Sequence, residues 1–419
     1  MKKLSKDFAF VLMLLISLSS FKSVQKINVS KNKGTTVAES QKSNININFK
    51  LKGIWSAVPN IDIFGDAQGC DLVLSTSSKI ATKRSNIPNE KEFSIVGHIK
   101  EPVVIRFSFS NDRQLMKTVA GGGYIPVKSA QMFMILMPGA DYTVSGDLTD
   151  KDFVDLYPAN DTENIKLSEL SSQMMPLLNK GVNAYLKLIR LGKKATKIQT
   201  EELNAISEEC DQKVADIRRV FLKNNASSIA GLWLMEDMII RSQINFKDLE
   251  AIFNTVDANK YGDNYFYKTI KTRIEGSKSS SVGAMCPSIY GKDIVSGEDI
   301  KLADFKGKYL LIDFWGTWCG ACLAGMPEMK KFADAHKDKL VLLGLAKDSD
   351  TKAVITCMEK NHVTWKNMLI GHGDRDFVAK FNVQGFPTKV LVNPEGKIVL
   401  RFTGEDTTFY KNMEKILSK

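Results

Sequence analysis

Tyr309-Leu310-Leu311-Ile312-Asp313-Phe314-Trp315-Gly316-Thr317-Trp318-Cys319-Gly320-Ala321-Cys322 is the stretch on which the reading of this chain turns. Its first six residues are a near-continuous apolar run of strand length, and Leu323–His336 continues as a helical pattern. The two cysteines therefore fall at a strand-to-helix junction. A helix N-terminus presents unpaired N–H groups and partial positive charge, which stabilise a thiolate. The first thiol is expected to ionise below the usual value of about 8.5. Spacing of three sets both sulfurs on one helical face, within reach of a short disulfide. Cys319 is thus the expected attacking sulfur and Cys322 the resolving one. Half of a zinc site has the same spacing, but Cys286 and Cys357 stand alone and His336, His362 and His372 form no matching pair. The reading assigns no metal to the site.

Asp313 is a carboxylate inside an apolar strand, six residues before Cys319. Burial raises the pKa of such a group and suits it to accept the Cys322 proton. The plainer alternative is a strand-end Asp that caps a loop. Further on, Gly385-Phe386-Pro387-Thr388 leads into the strand-like stretch Lys389-Val390-Leu391-Val392. A Pro directly before a strand suits a tight turn with a cis X–Pro bond, beside which an extended substrate can lie along Phe386. Asn393-Pro394-Glu395-Gly396 reads as a hairpin turn into a strand at Lys397–Phe402, with a closing helix over Thr408–Leu417.

Together, the Trp-Cys-Gly-X-Cys site, the Phe-Pro-Thr loop and the Asn-Pro-Glu-Gly hairpin resemble the thioredoxin superfamily, in particular its exported TlpA/ResA-like thiol–disulfide oxidoreductases. The resemblance covers residues 282–419 and implies an α/β thioredoxin-like fold, with a strand at Val363–Ile370 and a helix at Thr351–Asn361 inserted before Pro387. It implies transfer of reducing equivalents to oxidised thiols of exported proteins, apocytochrome c among the options, fed by a membrane electron donor. Trp318, Phe386 and Pro387 are the expected substrate contacts, with no cofactor beyond the Cys pair. Three departures stand out. Ala321 occupies a place where relatives usually carry Pro, which tunes redox poise. Gly325 stands where many carry Glu, leaving Asp313 to take over the acid–base role. Phe386 is bulkier than the usual residue before the loop proline.

Working outward, the chain reads as multidomain. Residues 44–150 show period-two strands, at Ile45–Leu51, Phe93–Ile99, Val103–Phe109, Gln131–Leu136 and Tyr142–Ser145. This mostly-β domain resembles the DUF4369-type domain found ahead of such modules in Bacteroidetes proteins. Residues 160–275 read as helical, including Leu167–Leu178, Glu202–Leu222 and Ile229–Ile240 after capping serines at 227 and 228. Gly276–Ser281 has the composition of a flexible hinge. Cys70, Cys210, Cys286 and Cys357 are even in number and leave two further disulfides arithmetically open. Cys286, before Pro287, is a candidate third redox partner. Gly121–Gly123 lacks a following Lys-Ser/Thr and reads as a loop, not a phosphate cradle.

At the N-terminus, Lys2, Lys3 and Lys6 precede the apolar run Phe8–Leu18, with Ser17, Ser19 and Ser20 after or within its end. That is the pattern of a secretory signal peptide over residues 1–20, followed by a polar linker at 21–43. An uncleaved anchor is the alternative, and no cysteine near residue 20 offers a lipid attachment point. The expected location is the periplasm or cell envelope, where disulfide chemistry operates. With 43% hydrophobic and 25% charged residues the composition is globular. The net charge of +11 is spread along the chain, with no zinc-finger or helix-turn-helix signal, which argues against nucleic acid as partner. Two rival readings remain: a peroxiredoxin-like enzyme, which needs a Thr where Gly316 stands, and a non-catalytic envelope adaptor acting through residues 44–275.

Overall fold

The computed structural model describes residues 45–52, 60–65, 70–75, 91–109, 116–118, 124–126, 130–147, 161–348 and 350–418. The leader expected over 1–20, the linker expected over 21–43 and the loop expected at Gly121–Gly123 lie outside them. The described chain is multidomain: a strand-rich N-terminal region, a helical middle and a C-terminal thioredoxin-like domain. It divides into two units. One runs up to Met235 and includes Ile252–Tyr267; the other joins Glu236–Ala251 to Lys268–Lys419.

In the first unit, β1 (Ile45–Lys52), β2 (Asn60–Phe64), β3 (Cys70–Ser75), β4 (Lys91–Ile99), β5 (Val103–Phe109), β6 (Met116–Thr118), β7 (Tyr124–Pro126), β8 (Ala130–Leu136) and β9 (Asp141–Asp147) form three sheets. Their orders are β3-β4-β1-β9, β2-β5-β8 and β6-β7. Ile45, Ile47 and Phe49 of β1 are buried, as their period-two spacing requires. Two long helices follow, α1 (Thr162–Leu191) and α2 (Lys197–Asn225). Asn164, buried in the first turn of α1, exchanges hydrogen bonds of 2.9 and 2.8 Å with the backbone N–H and C=O of Ile135. This one side chain ties the helix to β8. Next come α3 (Ile229–Ile240), α4 (Phe246–Phe253), α5 (Ala258–Tyr261) and α6 (Tyr265–Ser279). Ser228 caps α3 through its hydroxyl, which accepts from Gly231 N–H at 3.0 Å.

The second unit is built on a five-stranded sheet of order β14-β13-β12-β15-β16, preceded by the short pair β10 (Tyr290–Lys292) and β11 (Asp299–Lys301). Its strands are β12 (Tyr309–Trp315), β13 (Leu340–Ala346), β14 (Lys366–Leu369), β15 (Thr388–Val392) and β16 (Ile398–Thr403). β13 runs parallel to β12 and to β14, whereas β15 is antiparallel to β12 and β16. The helices are α7 (Gly320–Ala335), α8 (Thr351–Lys360), α9 (Phe377–Lys380) and α10 (Thr407–Leu417). Central β12 is buried on both faces, which explains its apolar run, broken only by Asp313. Leu310, Ile312 and Phe314 enter one core cluster; Leu311 and Trp315 enter the other, with Cys319 and Cys322.

The hinge expected at Gly276–Ser281 is instead a packed helix end. Residues 276–279 are the last turn of α6, and Ser280 is buried, its hydroxyl donating to Gly276 C=O at 2.6 Å. Glycine and serine are needed there for closeness, not for freedom. A Cβ on Gly276 would stand 2.5 Å from the Lys380 carbonyl oxygen and 2.6 Å from that of Ala379. Gly276→Ala is expected to lower stability by about 1–3 kcal/mol, the usual cost of overpacking. A shift of the urea unfolding midpoint reads this, and an unchanged midpoint refutes the close packing of α6 on α9.

Candidate active site

Cys319 and Cys322 are joined in a disulfide, with Cα atoms 5.2 Å apart. Cys319 is the N-cap of α7: its backbone is extended, and its sulfur accepts the Cys322 N–H at 3.2 Å. The helix start thus aims an N–H group at the sulfur expected to carry negative charge, the arrangement that favours a thiolate. The sulfurs are buried, while Gly320 and Ala321 between them are exposed.

Neighbouring turns fix this corner. Thr317 donates its N–H and its hydroxyl to the Asp348 carboxylate at 2.8 and 3.1 Å. The Trp318 indole N–H donates to the Lys347 carbonyl at 3.0 Å. The Trp318 ring meets Phe386 edge-on, with centroids 5.2 Å apart, and both half-buried rings pack on the cluster that holds the two cysteines. The Phe386–Pro387 bond is cis, and buried Pro387 accepts the Gly404 N–H at 2.8 Å. Trp318, Phe386 and the Cys pair therefore share one cluster, with Pro387 in the turn beside it. Elements of the helical segment that belong to this unit hold the approach to the turn. Arg273 of α6 donates to Val383 C=O at 3.2 Å, and Gln384 donates to Ile239 C=O at 3.2 Å. On the α3 side, burial pushes the Glu236 carboxyl up to about 7, against the pull of Arg273.

Asp313 is no loop cap. It lies mid-strand on β12, 3% exposed, and burial holds its carboxyl above the ordinary carboxylate range while Lys389 pulls it down. Lys389 is its cross-strand partner on β15, with Nζ 3.6 Å from Asp313 Oδ1. The same Nζ donates to Glu405 Oε2 at 2.5 Å, and Glu405 Oε1 accepts from the Tyr410 hydroxyl at 3.2 Å. Lys389, Glu405 and Tyr410 are additions to the sequence reading. The signal that could have found the first is a lysine within a strand otherwise apolar after Thr388. Glu405 follows the last strand and carried no signal at all.

The remaining cysteines do not join the site. Cys70, Cys210, Cys286 and Cys357 are free thiols, so the two further disulfides left open by their number are absent from the structure. Cys286 belongs to the opposite cluster of the sheet from Cys319 and Cys322, and burial there pushes its thiol up to about 12. It borders a cavity of about 470 Å³ with Leu302, Phe305, Leu310 and Pro394, near the start of β12 and so at the far end of that strand from Cys319.

Residues 282–417 match the Redoxin family. The thiol-disulfide oxidoreductase ResA of Bacillus subtilis (strain 168) is 34% identical over 133 residues, which are 32% of this chain and 73% of that protein. The ResA of Bacillus thuringiensis subsp. konkukian is 31% identical over 139 residues, 33% of this chain and 78% of its own. Among solved structures, the thioredoxin domain of a thiol-disulfide oxidoreductase from Bacteroides vulgatus is 33% identical with a TM-score of 0.31, covering 33% of this chain and 98% of that one. By its C-terminal domain, the chain belongs to the ResA-like thiol–disulfide oxidoreductases.

Proposed function

We propose that this chain is an exported reductase of protein disulfides in the periplasm or cell envelope, with apocytochrome c within its substrate class and a membrane protein as electron donor. The observation that carries the reading is the Cys319–Cys322 pair at the start of α7, on the sheet face that also carries buried Asp313. In this scheme the Cys319 thiolate attacks a substrate disulfide, forming a mixed disulfide and releasing one substrate thiolate. Cys322 then attacks Cys319, closing the intramolecular disulfide and releasing the second substrate thiolate, while its proton passes to Asp313. The substrate gains two electrons and the Cys pair loses two. Trp318, Phe386 and Pro387 form the surface along which an extended substrate segment lies. The leader pattern in residues 1–20 supports export, and residues 44–150 are read as a DUF4369-like module.

A peroxidase reading finds no support at Gly316. A Cβ there would stand 2.7 Å from the Trp318 ring, so a threonine requires that ring to move. Among the described residues, no helix is long and apolar enough to cross a membrane.

Cys319→Ser is expected to abolish reduction of a protein disulfide such as insulin. Cys322→Ser is expected to accumulate a mixed disulfide, visible on a non-reducing gel. Full activity of Cys319→Ser would falsify the reading. The pair is further expected to equilibrate near the thioredoxin end of the scale, at about −270 mV; a value near about −120 mV marks an oxidant instead.

Asp313 also makes a stability prediction. Because its folded pKa is raised, the native protein keeps a proton that the unfolded chain has already lost. Stability therefore falls as pH rises from the ordinary carboxylate value of about 3.9 through the raised one. Asp313→Asn removes that loss. It is expected to be more stable than wild type at pH 8, by about 1–3 kcal/mol for a desolvated group short of partners, with the two converging below about pH 4. The same variant is expected to slow closure of the Cys319–Cys322 disulfide about a hundredfold, within the usual range for a lost general base.

A further inference from the structure

The three charges beneath the redox helix are graded in exposure. The Asp313 and Lys389 side chains are 4% and 3% exposed, whereas Glu405 is 22% exposed. Asp313 Oδ1 has no hydrogen-bond partner among the described residues, and the Lys389 ammonium lies 3.6 Å from it. Lys389 reaches onward to Glu405, the most exposed of the three. The Glu405 carboxylate also lies directly against α7: a Cβ on Gly325 would overlap it. Gly325 is one turn beyond Cys322, and positions three apart share a helical face with Cβ separations of about 5–6 Å. The glycine is thus the gap through which this carboxylate approaches the face of α7 that carries the resolving cysteine.

We propose that Glu405 is the outlet of a proton path serving Cys322, running from Asp313 through the Lys389 ammonium to Glu405 and out to solvent. The inference rests on the exchange reaction proposed above. When Cys322 attacks the mixed disulfide, the bond from Cys319 to the substrate sulfur breaks and the Cys319–Cys322 bond forms. The substrate sulfur leaves as a thiolate, and the Cys322 proton goes to Asp313. Lys389 then takes that proton as it gives one to Glu405, so Asp313 is ionised again, Lys389 stays a cation and Glu405 releases the proton to water. One ammonium cannot neutralise two carboxylates in a buried site, and the excess charge is what draws a proton in. Two further titratable groups bear on the cluster: Tyr410 of α10, which donates to Glu405, and Glu328 of α7, whose charge acts on Tyr410. Burial and the Glu405 charge hold the Tyr410 phenol above its usual range, so it acts as a donor that orients the carboxylate.

Stopped-flow mixing of the reduced full chain with an aromatic disulfide such as DTNB separates the two steps. Attack by Cys319 releases a first thiolate, and closure by Cys322 a second. The Cys357→Ser background removes the half-buried free thiol. In Glu405→Gln the first phase is expected to stay within twofold of the parent. The second is expected to slow about tenfold on its pH plateau, and its acid limb to move to lower pH, since the Glu405 charge holds the Asp313 carboxyl up. Glu405→Asp, which keeps a titratable group, is expected to hold the second phase within threefold. The proposal is overturned if the second phase of Glu405→Gln is unchanged between pH 5 and 9, or if the Gln and Asp variants slow it equally. A parent protein lacking two phases, or a Cys319→Ser variant that keeps both, removes the exchange reaction itself.

Discussion

One ammonium group, that of Lys389, stands between two carboxylates inside the C-terminal sheet, and the redox end of the domain is arranged around it. An ion taken out of water costs several kcal/mol unless partners replace its hydration. Lys389 answers Asp313 across the β12–β15 ladder and Glu405 from the segment beyond β16. The registers of the two central strands and the path of the chain into α10 are thereby linked to one charge. A slip of one residue between β12 and β15 would send Lys389 to the opposite face and leave Asp313 with no cation. Register is commonly fixed by apolar pattern, but β12 and β15 are buried throughout, so pattern alone discriminates little. The buried pair supplies the missing discrimination.

Much of the C-terminal domain was legible because its signals are local. The apolar run at Tyr309–Phe314, the Cys spacing, Pro387 after Phe386 and the Asn393–Gly396 turn each announce a conformation within a few residues. The turn forms as read, with Gly396 at φ +88° and its N–H donating to Asn393 C=O at 2.9 Å. The site's second layer was not legible, because it is assembled across distance. Lys389 meets Asp313 from 76 positions away and Glu405 from 16. Gly325 was legible only as a missing acid, whose duty was assigned to Asp313. Its physical meaning, room for a carboxylate arriving from another element, requires the fold.

The misread segment at Gly276–Ser281 shows the opposite failure. Small residues are ambiguous between flexibility and close approach, and composition cannot separate the two. Here closeness prevails. Ser280 donates to Phe381 C=O at 3.0 Å, and Arg401 donates to Ser280 at 3.2 Å and to Asn382 C=O at 2.9 Å. With Arg273 on Val383 and Ile239 receiving Gln384, the stretch from Phe381 to Gln384 is held by side-chain-to-backbone hydrogen bonds that tie it to α6, α3 and β16. That stretch leads directly into the Phe386–Pro387 turn. Residues 236–251 and 268–281 are therefore supports of the Phe386–Pro387 turn, and the thioredoxin-like unit begins, physically, well before the residue at which its family resemblance begins.

Delivering the second carboxylate from the segment after β16 has a consequence that delivery from α7 would lack. An acid on α7 would be positioned by the same helix that carries Cys319 and Cys322, so any shift of the acid would disturb the sulfurs. Glu405 is instead positioned by Lys389 on β15 and Tyr410 on α10. Tyr410 in turn packs on Phe332 of α7 with ring centroids 5.5 Å apart, and on Phe409 at 5.6 Å. The Glu405 carboxylate and the sulfurs thus rest on separate elements that meet through an aromatic contact and a glycine. Under the proposed proton path, the partners of Glu405 can vary along α10 and the segment before it while the helix start at Cys319 stays fixed.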